Sequence, residues 1–151
     1  MRLASILVAI CAAEAFAGTT PEDGAVIAKS NDSTVSQLMI QIAGHEGDPA
    51  EKVFRNIRIP WLKNVPAGTF LTIMKDGYAA ALGVRCEYCH VEGDFSKDDK
   101  RPKRAAREMA AMHHGINQQL AKMQELKPRP GGRFINCSTC HRGAVSPLSD
   151  E

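Results

Sequence analysis

Aromatic side chains are scarce in this sequence: one Trp, two Tyr and five Phe serve 151 residues that also carry 12 Gly and 8 Pro. A core built from so few large rings is small for the chain length, which leaves interior room for something that is not protein. No charge sign dominates, with 19 basic and 17 acidic residues and a formal net charge of +2. That balance gives no support to a basic nucleic-acid-binding arm. The densest charged run, Lys97 to Arg107, interleaves acids with bases and reads as the solvated start of a helix. Long apolar runs are missing too: LASILVAICAA, near the N-terminus, is too short to span a bilayer. No segment is low-complexity, and no β-pattern competes strongly beyond residue 66. What remains is an ordinary hydrophobic fraction, 44%, in one domain's length of chain.

That early apolar stretch has the layout of an export signal. Arg2 supplies the positive start and Ala15 to Ala17 (AFA) an A-x-A cleavage site, so residues 1–17 are expected to be removed and the rest to reach the periplasm or the exterior. Loss of Arg2 and Glu14 takes the 19 basic and 17 acidic residues to 18 and 16. Cys11 leaves with the signal. Four cysteines stay behind, and exported thiols are expected to be oxidised or otherwise occupied.

Residues 18–49 read as a polar, turn-rich N-terminal extension interrupted by VSQLMIQIA, for which periodicity leaves strand and short helix open. A short ordered segment follows from Phe54 to Leu62, closed by Pro60 and Pro66. In AGTFLTIMKDGYAAALG, Phe70, Ile73, Met74, Ala81 and Leu82 stand near helical spacing, and Gly83 is placed to end the helix. A second helix starts about Pro102 and repeats apolar residues through Ala106, Met109, Met112 or His113, Ile116, Leu120 and Met123, before KPRPGGR breaks it.

Each helix leads to the same pentapeptide pattern: CEYCH at Cys86 to His90, then CSTCH at Cys137 to His141. C-x-x-C-H is the attachment signature of haem c. The two-residue gap lets both thiols form thioethers to one porphyrin edge, and the adjoining histidine reaches the iron. Cys86, Cys89, Cys137 and Cys140 are therefore the expected attachment points, with His90 and His141 as proximal ligands and two haems c as cofactors. A zinc ribbon separates its cysteine pairs by roughly 15 to 20 residues. Here 47 residues intervene, and zinc gives no reason for a histidine after each pair. A thioredoxin-like pair needs a single C-x-x-C in a βαβ setting, and a disulfide across two residues is strained.

The face of each iron opposite its histidine needs a second ligand. Met74 lies twelve residues before Cys86, on the helix that Gly83 turns back toward the first motif. For the second haem, Met109, Met112 and His113 sit on adjoining turns, and spacing leaves all three open; His114 falls about 100° away, toward the helix surface.

FRNIRI, LGVRCEYCHVEGDFSKDDK, AREMAAM and CSTCHRG together resemble the cytochrome c subunit family of photosynthetic reaction centres. The resemblance covers roughly residues 50 to 145 and corresponds to one dihaem half of the family's four-haem members. It implies Met74 as distal ligand of the first haem and Met109 as that of the second. It also implies a mainly α fold: two helix–turn–CxxCH units packed around two haems, with little β structure. Residues 50–151 would form the dihaem cytochrome c domain. The expected function is single-electron transfer between redox proteins acting as donor and acceptor, outside the cytoplasm and in contact with a membrane-associated electron-transfer complex, with no catalytic residue. Two rivals remain: a dihaem peroxidase-like enzyme with one open distal site, and an assembly subunit that oligomerises through residues 18–49, with His45 serving a neighbouring haem.

Overall fold

Residues 21–128, 132 and 134–147 are described by the computed structural model; the expected export signal lies outside them. Among the described residues the architecture is helical, as expected, with two isolated β-bridges, Pro49 to Pro66 and Val91 to Asp94. None of these helices is long and apolar enough to cross a membrane.

VSQLMIQIA falls in and just beyond α1 (Pro21–Gln41). Asn31, Val35, Leu38 and Ile42 recur at steps of four, three and four, which aligns them on one helix face. Ile42 is buried with Ala67 and Leu71, and Val35, Leu38, Val53 and Phe54 pack around that nucleus. Nearby, the chain before the short α2 (Ala50–Val53) is tied to the chain after a 3-10 turn at Pro60–Leu62. The Ala50 amide donates to the Val65 carbonyl, and the Ala67 amide to that of Asp48, each at 2.8 Å.

The helix expected before the first motif runs from Ala67 to Leu82 in three parts. A π-helical stretch, Ile73–Ala79, separates α3 (Ala67–Thr72) from α4 (Ala80–Leu82). Such wide turns are frequent at functional sites, and this one carries Met74 and Tyr78. Gly83 ends the helix in the left-handed region, φ +63°. The Gly83 and Val84 amides donate to the Ala80 and Ala79 carbonyls, the paired bonds of a Schellman cap.

Cys86–Cys89 forms α5, Arg101–Leu120 forms α6 with Pro102 in its first turn, and Cys137–His141 forms α7. An Asn136–Thr139 capping box starts α7. Gly83 has a second role beyond its dihedral. The Gly143 amide donates to the Ala81 carbonyl at 2.9 Å, and a Cβ on Gly83 would lie 2.1 Å from the Gly143 oxygen. The loop after the second motif thus seats directly on the helix end before the first.

Gly83→Ala should consequently cost about 2–5 kcal/mol, from left-handed strain of roughly 1–2 plus overpacking of roughly 1–3. Urea unfolding measures it. A variant within about 0.5 kcal/mol of the parent would mean that the two loops do not meet there.

Candidate functional site

Four of the residues singled out by the sequence, Met74, Cys86, Cys89 and His90, line one cavity of about 380 Å³. That size falls within the roughly 300–1,000 Å³ typical of small-molecule pockets. Its other walls come from α1 (Val35, Leu38), from the strand-like segment after α2 (Ile57, Ile59), and from α6 (Ala106). The π-helical stretch supplies Met74, while α5 presents both cysteines.

Histidine orientation follows from one bond. His90 Nδ1 lies 3.0 Å from the Phe95 carbonyl oxygen, so Nδ1–H donates and Nε2 is left to face a metal. Burial holds the His90 pKa below the ordinary imidazole range, helped by the Lys103, Arg107 and Lys100 charges against the opposing Phe95 bond. The ring is therefore neutral at neutral pH, as a metal ligand must be. Burial likewise pushes the Cys86 and Cys89 thiols up, so both are protonated and nucleophilic only weakly until engaged.

This lining has the chemistry that a covalently held haem requires: apolar walls, two thiols at one edge, an oriented imidazole, and a thioether from a different element. A structural zinc site has no comparable support, since among the described residues no three of His, Cys, Asp and Glu converge.

Two contributors were not legible as site residues. Asn31, only 3% exposed, accepts from the Cys86 amide at 3.0 Å and donates through Nδ2 to the Val84 carbonyl at 3.0 Å. Its Oδ1 also lies 3.2 Å from Cys86 Sγ. The only signal was its place four residues before Val35 on the face that α1 buries. Asn31→Leu leaves an unpaired donor and acceptor, each worth about 1–3 kcal/mol. A drop of about 2–6 kcal/mol in urea-unfolding free energy is expected, and a loss below about 0.5 would show the clamp to be idle.

Lys103 is the second, and it corrects the expectation of a solvated helix start. It is 9% exposed and, with Ala106, lines the cavity from the α6 face on which Ala110 is buried. Its ammonium group donates to the carbonyls of Phe95 (2.8 Å), Ser96 (2.9 Å) and Lys97 (2.7 Å). Arg107 bonds both oxygens of Asp98 and, with Lys103 and Asn56, holds that carboxyl well below the usual carboxylate range.

The second motif lies against α4 and the π-helical stretch, on the helix that precedes the first motif. Tyr78 lines the first cavity, and burial together with nearby Cys137 pushes its phenol up to about 12. Cys140 is exposed, Cys137 and His141 half-buried, and His141 Nδ1 donates to the Ala144 carbonyl at 3.1 Å. Of the three distal candidates, Met109 and Met112 are 39% and 49% exposed. His113 Nε2 lies 2.9 Å from the Ile135 carbonyl oxygen, a bond that occupies it. His114 is exposed as expected and stacks on Trp61, with ring centroids 4.4 Å apart. His45 is exposed, bonded to Asp48 at 2.7 Å, and is not among the cavity-lining side chains.

Residues 15–149 match a family described as the photosynthetic reaction centre cytochrome C subunit. Cytochrome c-554 of Chloroflexus aurantiacus is 30% identical over 92 residues, 61% of this chain and 22% of that protein. The photosynthetic reaction center cytochrome c subunit of Rubrivivax gelatinosus is 32% identical over 111 residues, covering 62% of this chain and 30% of its own length. The corresponding subunit of Thermochromatium tepidum is 29% identical over 109 residues, 70% and 24% respectively. The chain spans less than a third of the length of these relatives.

Proposed function

Because the chain belongs to the photosynthetic reaction centre cytochrome c subunit family, we propose that it is an exported dihaem c-type cytochrome passing single electrons between redox proteins. One observation carries the reading: Met74, from the π-helical stretch, and Cys86, Cys89 and His90, from α5 and its C-cap, line a single cavity.

Haem c, when bound, supplies a one-electron carrier whose potential depends on its axial ligands and surroundings. The protein's share of the work is positioning and exclusion. Cys86 and Cys89 would tether the group, the Phe95 carbonyl sets the tautomer of His90, and Met74 would offer a thioether that favours the ferrous state relative to a second histidine. Val35, Leu38, Ile57 and Ile59 keep water from the cavity walls. Cys137, Cys140 and His141 would take the same roles in the second unit, where Met109 would supply the thioether. The occupied Nε2 of His113 weighs against that histidine. Tyr78 and the Gly83–Gly143 contact place the two motifs side by side, an arrangement suited to passing an electron between them.

Exposed Lys97, Arg101 and Arg104 on the loop and first turn of α6 offer a docking face for an acidic partner protein. Carbon monoxide separates a carrier from an enzyme. The ferrous protein is expected to bind none rapidly, since both irons are capped, whereas prompt binding at one haem would favour peroxidase-like chemistry.

A further inference from the structure

We propose that Lys103 is a positioning residue that raises the reduction potential of the first haem by sharing the Phe95 carbonyl with His90. The inference rests on the reading of Cys86, Cys89 and His90 as a haem-binding motif.

One backbone oxygen joins the two side chains. The Phe95 carbonyl accepts from His90 Nδ1–H at 3.0 Å and from the Lys103 ammonium at 2.8 Å. A carbonyl oxygen has two lone pairs, so both bonds form together. They are not equal. The charge-assisted bond from Lys103 is the stronger, and it draws electron density from the oxygen, which leaves a poorer acceptor for the imidazole. An imidazole whose Nδ1–H bond is weakened is less basic at Nε2. It donates less to iron, and the ferrous state gains.

The charge acts in the same direction through space. Lys103 is almost wholly buried, where screening is weak. Its ion pair with Asp98 at 3.3 Å does not cancel it, because that one carboxylate is shared with Arg107 at 2.8 Å and Arg58 at 3.4 Å. Three cations around one anion leave the cluster positive beside the cavity that His90 lines. A positive charge there favours the reduced iron.

A bland alternative is that Lys103 only staples the 95–97 loop through its three carbonyl bonds. The two accounts differ in what charge does. A staple is about donors and shape, and its loss lowers stability without selecting one haem's potential. A tuning residue is about the ammonium charge and moves one potential while the ligands stay in place.

The test uses the full-length, haem-loaded protein and the variants Lys103→Met, Lys103→Gln and Lys103→Arg. Potentiometric titration followed optically gives both midpoints, and proton NMR of the ferrous protein reports the His90 Nδ1–H resonance. In Lys103→Met, one haem is expected to fall by at least tenfold in its one-electron equilibrium constant, about 59 mV, with the other unchanged. The methionine-to-iron band persists and the His90 Nδ1–H signal moves downfield as its bond to Phe95 strengthens. Lys103→Arg keeps the parent values. Lys103→Gln, which retains a donor but no charge, follows Lys103→Met and serves in its place should that variant not accumulate. Unchanged midpoints in the neutral variant that carries both haems would overturn the proposal. A parent protein without haem at Cys86 and Cys89 would instead overturn the reading of the site itself.

Discussion

Replacing Met74 by histidine lowers the midpoint potential of one haem and leaves the other close to its parent value. Axial-ligand identity spans about 0.8 V across haem proteins, so the expected drop is on the order of 100 mV or more. The selectivity follows from position. Met74 lies in the π-helical stretch and lines the cavity that Cys86, Cys89 and His90 also line, whereas Met109 sits on α6. Met74→Ala makes the complementary case: the iron loses its sixth ligand, half of the methionine-to-iron absorption band disappears, and the ferrous protein now binds carbon monoxide at one haem. An Ala variant that keeps the whole band would remove Met74 from the site.

Substitution of both Cys86 and Cys89 by alanine should halve the covalent haem, from two per chain to one, as read by pyridine haemochrome after acid-acetone extraction. It should also destabilise the fold more than the matching change at Cys137 and Cys140. The first pair lines a cavity enclosed by α1, the π-helical stretch and α6, so an unfilled interior there strips apolar walls of their contacts. The second pair is more open, and Cys140 is exposed. Equal losses of stability from the two double variants would argue against a central role for the first cavity.

Much of this arrangement was legible in the sequence. Gly83 and the apolar spacing of residues 67–82 announced the helix before the first motif, and Pro102 with the three-and-four repeat announced α6. Both signals are local, and local chemistry decides them. The π-helical widening at Ile73–Ala79 was not legible, because nothing in IMKDGYA distinguishes it from an ordinary turn and its cause lies in what packs around it. Residues 21–41 were read as an extension of open conformation, since Asn31 and Ser30 dilute the apolar face that Val35, Leu38 and Ile42 complete. Lys103 was read as solvated for a different reason. Charge in a sequence suggests exposure, yet three carbonyls of one loop converge to pay for its burial. The meeting of Gly83 with Gly143 is a contact across sixty positions, beyond the reach of any spacing rule. Met109 rests on family resemblance, since its exposure on α6 and that of Met112 do not rank them, and His113 differs from both only in the bond its Nε2 makes to the Ile135 carbonyl.

The most direct measurement is the intact mass of the purified, fully denatured chain. Two covalently added haems per polypeptide are predicted, retained in strong denaturant because thioethers hold them. A bare polypeptide mass, or a chain that binds zinc through these cysteines instead, would contradict the account.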